Sequence, residues 1–314
     1  MSSLKTLVIA GASGVIGRHI RSLAHSLGWS VRALTVSATG DEKDPSTQWV
    51  TWNPHNATNN DEESVAVVAD TLNGADALIN LAGSSMDGGR MGPKHRRQIL
   101  ESRVSACRAL VAGLEAAQAP PAVWVQASGI GYYGDTGEDD VTEQNPRCND
   151  LFVGEICRQW ENEGLGANVP IRRVVARIGL VLAPDAPAFI KMIRPVRLGV
   201  GGKLGHGRQW YSWISGTDVA RAILHLVNTD TTEGPYNLTS PTPIRQIDMT
   251  TTLAKAIGRP ALFPTPAFVL RTILGGVANE LLLPSCRALP ARLLETGFQF
   301  EHVRFDDVVE TLVA

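Results

Sequence analysis

The chain lacks a run of eighteen apolar residues, a Cys-x-x-Cys pair, a His-Glu-x-x-His motif and a surplus of either charge. The first absence excludes a membrane-spanning helix. The four cysteines, Cys107, Cys148, Cys157 and Cys286, are scattered, and three of them fall in helical or apolar sequence, so reduced thiols rather than a disulfide framework are expected. With no paired ligand spacing among the seven histidines, no metal site is expected. Lys plus Arg at 29 against Asp plus Glu at 31 gives a formal net charge of −2, which does not pull the whole chain onto nucleic acid or anionic lipid. Met1 to Ala10 holds one lysine and a short apolar stretch that runs directly into a glycine turn, unlike a secretory leader. A cytoplasmic protein is therefore expected, and the sequons at Asn56 and Asn237 carry no meaning without secretion.

What is abundant is glycine, 30 of 314 residues, in a chain long enough for about two structural units. Apolar β-rich runs at Leu7 to Ala10, Val31 to Leu34, Val50 to Trp52, Leu78 to Leu81, Val123 to Ala127 and Val174 to Ile178 alternate with helical periodicity. Ile16, Ile20, Leu23, Ala24 and Leu27 line one helical face ended by Gly28. Ile99, Val104, Cys107, Leu110, Val111 and Leu114 line another between about Lys94 and Ala117, and a third helix is predicted over Leu151 to Glu163. This alternation predicts an α/β fold, a doubly wound parallel sheet of Rossmann type. Residues 1–240 would form the nucleotide-binding unit, with 183–214 contributing to a substrate cleft. The mainly helical remainder, 241–314, would form a small cap. Pro184, Pro187 and Pro195 precede five glycines between Gly199 and Gly207, a composition that argues against a regular crossover helix there.

Gly11-Ala12-Ser13-Gly14-Val15-Ile16-Gly17 follows a predicted strand and opens a predicted helix, the context in which a glycine-rich turn counts as a dinucleotide fingerprint. Gly11 would permit the sharp turn, Gly14 the approach of a pyrophosphate and Gly17 close packing of helix on sheet. A merely tight turn is the competing reading. The second strand ends at Thr35 and Val36 without the acid that would hold an adenosine ribose diol, so NADP is expected over NAD, with Arg18 a candidate for the extra phosphate. Leu81, Ala82 and Gly83 close the fourth strand with mostly small residues, over which the dinucleotide could cross. The basic run Arg90, Lys94, His95, Arg96 and Arg97 reads mostly as a solvated surface. Arg103, by contrast, falls among sheet-facing positions, where a buried cation needs an anionic partner, and a cofactor phosphate or ribose would serve. Ser128, Tyr132 and Tyr133 sit at the end of the fifth strand and offer hydroxyls for proton transfer, although half-buried packing explains the tyrosines equally well. Gly202-Lys203-Leu204 does not complete a Walker motif, and Gln126 breaks a nucleophile-elbow pattern around Ser128, which removes kinase and hydrolase readings.

With these features in place, the chain resembles the short-chain dehydrogenase/reductase superfamily in its extended form. More narrowly, it is similar to the atypical branch labelled nucleoside-diphosphate-sugar epimerase family, with its small C-terminal domain. Gly88-Gly89-Arg90, Glu101-Ser102-Arg103-Val104, Gly131-Tyr132-Tyr133-Gly134-Asp135, Arg177-Ile178-Gly179-Leu180, Arg197-Leu198-Gly199, Gly207-Arg208-Gln209-Trp210 and Leu289-Pro290 carry the likeness over nearly the whole chain. The resemblance implies cofactor contacts from Ala127 and from Ile178, Gly179 and Leu180, pocket residues Ser84, Arg208, Gln209 and Trp210, and a homodimer through the helices near 94–117 and 151–163. The superfamily's Tyr-x-x-x-Lys acid/base pair falls on Val153 and Cys157 here, so that pair is absent. Further departures are Val36 where the branch usually has arginine, Ser84 in place of a glutamate, and Trp213-Ile214-Ser215-Gly216-Thr217-Asp218 in place of Trp-Ile-His-Ile-Asp-Asp. Two functional expectations follow. One is an oxidoreductase or epimerase for a small polar or nucleotide-linked substrate; the other is a non-catalytic dinucleotide-binding redox sensor or assembly module.

Overall fold

A computed structural model describes residues 5–36, 44–59, 61–86, 90–146, 151–166 and 168–313. Cys148, Asp41 and the Gly88-Gly89 pair lie outside these. Strands β1 (Thr6–Ala10), β2 (Ser30–Thr35), β3 (Thr47–Thr51), β4 (Ala77–Asn80), β5 (Val123–Gly129), β6 (Arg172–Ile178) and β7 (Gly234–Leu238) form one seven-stranded sheet in the order β7-β6-β5-β4-β1-β2-β3. Every pairing in it is parallel. Chain direction across the sheet reverses beside β1, between β4 and β2, and that reversal is where open α/β sheets bind ligands.

The strands read as unbroken apolar runs because both faces are covered. Leu7 and Ile9 of β1 point into a core with helices α1 (Val15–Ser26) and α7 (Gly216–Asn228), whereas Val8 and Ala10 point the other way. That second core holds Trp124 and helices α3 (Glu62–Leu72) and α4 (Pro93–Ala116). Helix α5 (Phe152–Leu165) packs beside α4. Trp124 is fully buried and ranks among the largest buried side chains. Burying a side chain of that size contributes roughly 2–3 kcal/mol or more at about 25 cal/mol per Å².

One sequence expectation needs correction. Segment 184–207 does hold a helix, α6 (Pro187–Arg197). Pro187 occupies its first turn, where no N–H is required, whereas Pro195 lies inside the helix and lacks the N–H that would reach back four residues, a loss taken two residues before the helix stops. The basic residues near the start of α4 are mostly exposed, and two of them are also tied down. Arg96 pairs with Glu280 at 3.0 Å and lies over the Phe152 ring, while Arg90 donates to the Thr272 carbonyl at 2.7 Å. Both tie the entry of α4 to the C-terminal region.

Between β3 and β4, where the sequence gives no helix expectation, lie α2 (Pro54–Thr58) and α3. The remaining helices are α8 (Gln246–Ala256), α9 (Ala267–Leu274), α10 (Ala291–Glu295) and α11 (Phe305–Val313). A third core joins Phe189 and Ile193 of α6, Met249 and Leu253 of α8, and Val308 and Leu312 of α11 around Trp213. Short two-stranded pairings stitch 210–211 to 244–245, 180–182 to 213–215, and 140–141 to 287–288. The small C-terminal region is therefore mainly helical, as composition suggested.

Candidate functional site: a cleft at the sheet's C-terminal edge

The turn after β1 has the backbone that its glycines anticipate. Gly11 has φ +84°, in the left-handed region, and a Cβ there would fall 2.8 Å from the Leu81 backbone. At Gly17 a Cβ would stand 2.6 Å from Ala12 Cα, so α1 approaches the turn closely only because position 17 is glycine. Gly14 is the N-cap of α1, with no side-chain cap and no acidic residue in the first turn. The amino end of α1, flanked by Val15 and Ile16, thus presents backbone donors and the positive end of its dipole to an anion. Arg18 leans away from the end of β2: it pairs with Asp185 at 2.7 Å and donates to the Ser13 carbonyl at 2.6 Å.

Asn80 shapes the facing turn. Fully buried, it donates to Gln126 Oε1 at 2.9 Å and accepts from the Ala82 N–H at 3.1 Å, which bends Leu81 to Gly83 away from the strand line. Between the two turns opens a cavity of about 770 Å³. It is lined by Gly11, Ser13, Thr35, Val36, Ala82, Gly83 and Ser84, and also by Trp52, Asn53, His55, Glu63 and Ser102. The second group is not among the residues expected from the sequence. The end of the third strand, Trp52-Asn53-Pro54, was readable as a further loop on the same sheet edge, whereas Glu63 and Ser102 arrive from helices distant in sequence. Among the described lining residues Glu63 is the one carboxylate, and no Lys or Arg is present.

Arg103 lies beneath this cleft. It is 8% exposed, and a Cβ on Gly83 would fall 2.9 Å from its Cζ. Its Nη1 donates to the carbonyls of Ser84 and Ile99, each at 3.0 Å, the guanidinium sits over the Trp160 ring, and Nε has no hydrogen-bond partner. Among the described residues no carboxylate pairs with it. Burial pulls its pKa down to about 10, a desolvation penalty that an anion in the cleft would relieve.

The hydroxyls at the end of β5 have different fates. Ser128 donates to Glu161 Oε1 at 2.7 Å, and Glu161 also accepts two bonds of 2.9 Å from Arg177. Tyr133 is fully buried; its hydroxyl accepts from Arg177 at 3.0 Å and donates to Asn237 at 2.8 Å. Desolvation raises its pKa to about 12, against the pull of the nearby Arg177. Tyr132 is partly buried, with Arg177 Cζ 3.5 Å from its ring centroid, and its hydroxyl has no partner among the described residues. It packs in an apolar cluster with Met91, Val153 and Cys157, flanked by Met86 and Val277. The two α5 positions of the missing acid/base pair are therefore closed, apolar and in contact with the β5 loop: Cys157 Sγ is 3.6 Å from a Cβ placed on Gly129. Burial pushes the Cys157 thiol up to about 11.

The remaining expected residues lie elsewhere around this edge. Ala127 is buried against Cys107 and Trp160, with Ile178 and Leu81 packed alongside. Gly179 crosses so close to the Ser212 carbonyl that a Cβ would fall 2.5 Å from it, and Leu180 pairs with Trp213. Gln209 is buried and braces the carbonyls of Leu204 and Leu282, both at 3.1 Å. Trp210 is stacked between Arg245 and Arg287, its Nε1 donating to Glu138 at 3.1 Å, and Arg208 is exposed beside it. None of these three lines the cavity.

Comparisons with known proteins agree with the geometry. Residues 7–239 match the family described as NAD dependent epimerase/dehydratase, and 265–312 match a domain of unknown function, DUF1731. The chain is 33% identical over 303 residues to the epimerase family protein ML0860 of Mycobacterium leprae, covering 96% of this chain and 94% of that protein. It is 32% identical to the chloroplastic SDR39U1 homolog of Arabidopsis thaliana, over 99% of this chain and 87% of the relative. The crystal structure of human epimerase family protein SDR39U1 (isoform 2) with NADPH superposes with a TM-score of 0.85 at 26% identity, covering 98% of each chain. A glycine turn at the edge of a parallel sheet, a cleft at its switch point and similarity over nearly the full length place this chain in the NAD-dependent epimerase/dehydratase family.

Proposed function

We propose that this chain binds NADP(H) along the C-terminal edge of the sheet and serves as an oxidoreductase or epimerase for a small polar or nucleotide-linked substrate. The observation that carries the reading is the 770 Å³ cleft between the Gly11 turn and the Ala82–Ser84 turn. The donors at the start of α1 would take the pyrophosphate, Thr35 and Val36 would border the adenosine ribose, and Arg103 would answer cofactor negative charge from below. The absence of an acid at the end of β2 supports NADP over NAD, as does the NADPH in the human relative's structure. Glu63 on the cleft wall works against it. A bound nicotinamide supplies the hydride donor or acceptor. The protein's part is to orient the substrate and exchange its proton, and Tyr132 is the hydroxyl best available for that, since those of Ser128 and Tyr133 are committed to Glu161 and Asn237.

A second reading, a dinucleotide-binding sensor without turnover, is favoured by the apolar Val153 and Cys157 at the acid/base positions. Calorimetric titration with NADPH and NADH, followed by a hydride-transfer screen of carbonyl compounds and nucleotide sugars, separates the readings. The enzyme reading expects tighter NADPH binding and turnover that Tyr132→Phe reduces at least tenfold with cofactor affinity unchanged. Binding without turnover on any compound supports the sensor; equal affinity for both dinucleotides removes the NADP preference, and no binding removes both readings.

A further inference from the structure

The net charge of the chain hides an uneven distribution. Two segments, 186–208 and 249–279, carry eight lysines and arginines and not one aspartate or glutamate. The fold brings them side by side. Phe263 N–H donates to the Gly201 carbonyl at 3.1 Å, Thr265 N–H to the Lys203 carbonyl at 2.8 Å and Gly205 N–H to the Thr265 carbonyl at 2.9 Å, and helices α6 and α8 pack together behind this strip. Arg194, Arg197, Lys203, Lys255 and Arg259 are all exposed and make no ion pair among the described residues.

The same strip exposes large apolar side chains. Leu198 is 70% exposed, Leu262 78% and Phe268 69%, with Val200 and Phe263 each more than half exposed. Helix α9, which opens directly after the strip, buries one residue, Leu270, although its sequence is Ala-Phe-Val-Leu-Arg-Thr-Ile-Leu. Two acid-free segments that leave leucine and phenylalanine in water among cations without ion-pair partners are not explained by packing within the chain.

We propose that this face docks the protein peripherally onto an anionic lipid surface. Leu262, Phe263 and Phe268 would enter the boundary between headgroups and acyl chains, while the surrounding lysines and arginines approach lipid phosphates. Charge complementarity selects this occupant. A second copy applied to the same face would bring two sets of unpaired cations together, and a nucleic acid would satisfy the cations but leave the apolar side chains without a partner. No helix among the described residues is long and apolar enough to cross a membrane, so the attachment proposed is reversible and in the plane of the interface. The inference is independent of the dinucleotide reading, since none of these residues lines the cleft.

The test is co-sedimentation of the full chain with vesicles of phosphatidylcholine alone and of phosphatidylcholine with about one-third phosphatidylglycerol. The expected result is pelleting with the anionic vesicles only, with release at high salt. An apolar double variant, Leu262→Ser with Phe263→Ser, and a charge-reversed triple variant, Arg194→Glu, Arg197→Glu and Arg259→Glu, should each weaken vesicle affinity at least tenfold while keeping the parent's melting temperature. No pelleting with anionic vesicles, equal pelleting with neutral ones, or full pelleting of both folded variants overturns the proposal. So does a salt-resistant dimer of the parent that the apolar variant dissolves, which would assign the face to a second copy. Should either variant fail to fold, hydrogen exchange of the parent on vesicles decides. Protection at 198–204 and 260–270 supports the docking, and protection confined elsewhere refutes it.

Discussion

Glu63 and Thr35 border the same cleft from different elements, one a carboxylate and the other a hydroxyl, and the contrast matters for a ligand that differs by one phosphate. Removing the carboxylate should help the phosphorylated dinucleotide alone: Glu63→Gln is expected to tighten NADPH about two- to fivefold, on the order of 0.5–1 kcal/mol, with NADH affinity unchanged in parallel titrations. The Glu161–Arg177 pair is of another kind. Both partners are under 10% exposed, and Ser128 and Tyr133 hang their hydroxyls on it. Glu161→Gln would leave Arg177 buried without its counter-ion at a cost of about 3–5 kcal/mol, visible as a lower denaturant midpoint; a midpoint within error of the parent would contradict the assignment. Ser128 was legible in the sequence as a hydroxyl ending a strand, but its engagement was not, because Glu161 stands 33 residues away on another element. His225 gives a pH signature. Burial, partly opposed by its bond to Thr296, lowers its pKa from 6.5, so the folded chain prefers it neutral while the unfolded chain takes up the proton. Its contribution is fully present above the ordinary histidine value and is lost as the pH falls through the folded one. Between about pH 7 and 5 the melting temperature of His225→Gln should therefore fall less than that of the parent.

At the scale of elements, α3 and α4 meet through a missing side chain. A Cβ on Gly113 would fall 2.3 Å from Val68 Cγ1, so the helices can lie this close only with glycine at the contact. Gly113→Ala is expected to cost about 1–3 kcal/mol through overpacking, despite the better helix propensity of alanine, and thermal denaturation measures the sign. Long periodic helices such as α1, α4 and α5 were readable to within a residue or two, because each carries an apolar stripe over several turns. α2 is only five residues long and has no stripe to read. α6 was hidden by its prolines: Pro187 suits a first turn, and Pro195 costs one i→i−4 bond only two residues before the helix ends, so the helix forms although composition alone disfavours it. The contacts of Arg96 with Glu280, and of Glu280 with the Val153 N–H at the start of α5, were beyond any local reading, since they join three segments that only the folded chain assembles.

For the whole molecule, a ligand that fills the cleft binds the folded state alone, so its effect should appear in global stability. At a hundredfold excess over its dissociation constant, NADPH should add about 2.7 kcal/mol, and the melting temperature should rise with ligand concentration. A melting temperature indifferent to millimolar NADPH would count against the cofactor reading. The seven-stranded sheet has a further consequence through its order. β1 lies inside the sheet, β2 and β3 extend it on one side, and β4 to β7 extend it on the other, so each strand attaches to an edge that already exists and none inserts between strands already paired. A chain emerging from the ribosome can therefore build this sheet outward from its first strand, in step with synthesis, without opening any contact made earlier. The second edge of β1 waits longest, bare until residues 77–80 arrive, and that interval is when the nascent chain is most open to strand-to-strand aggregation.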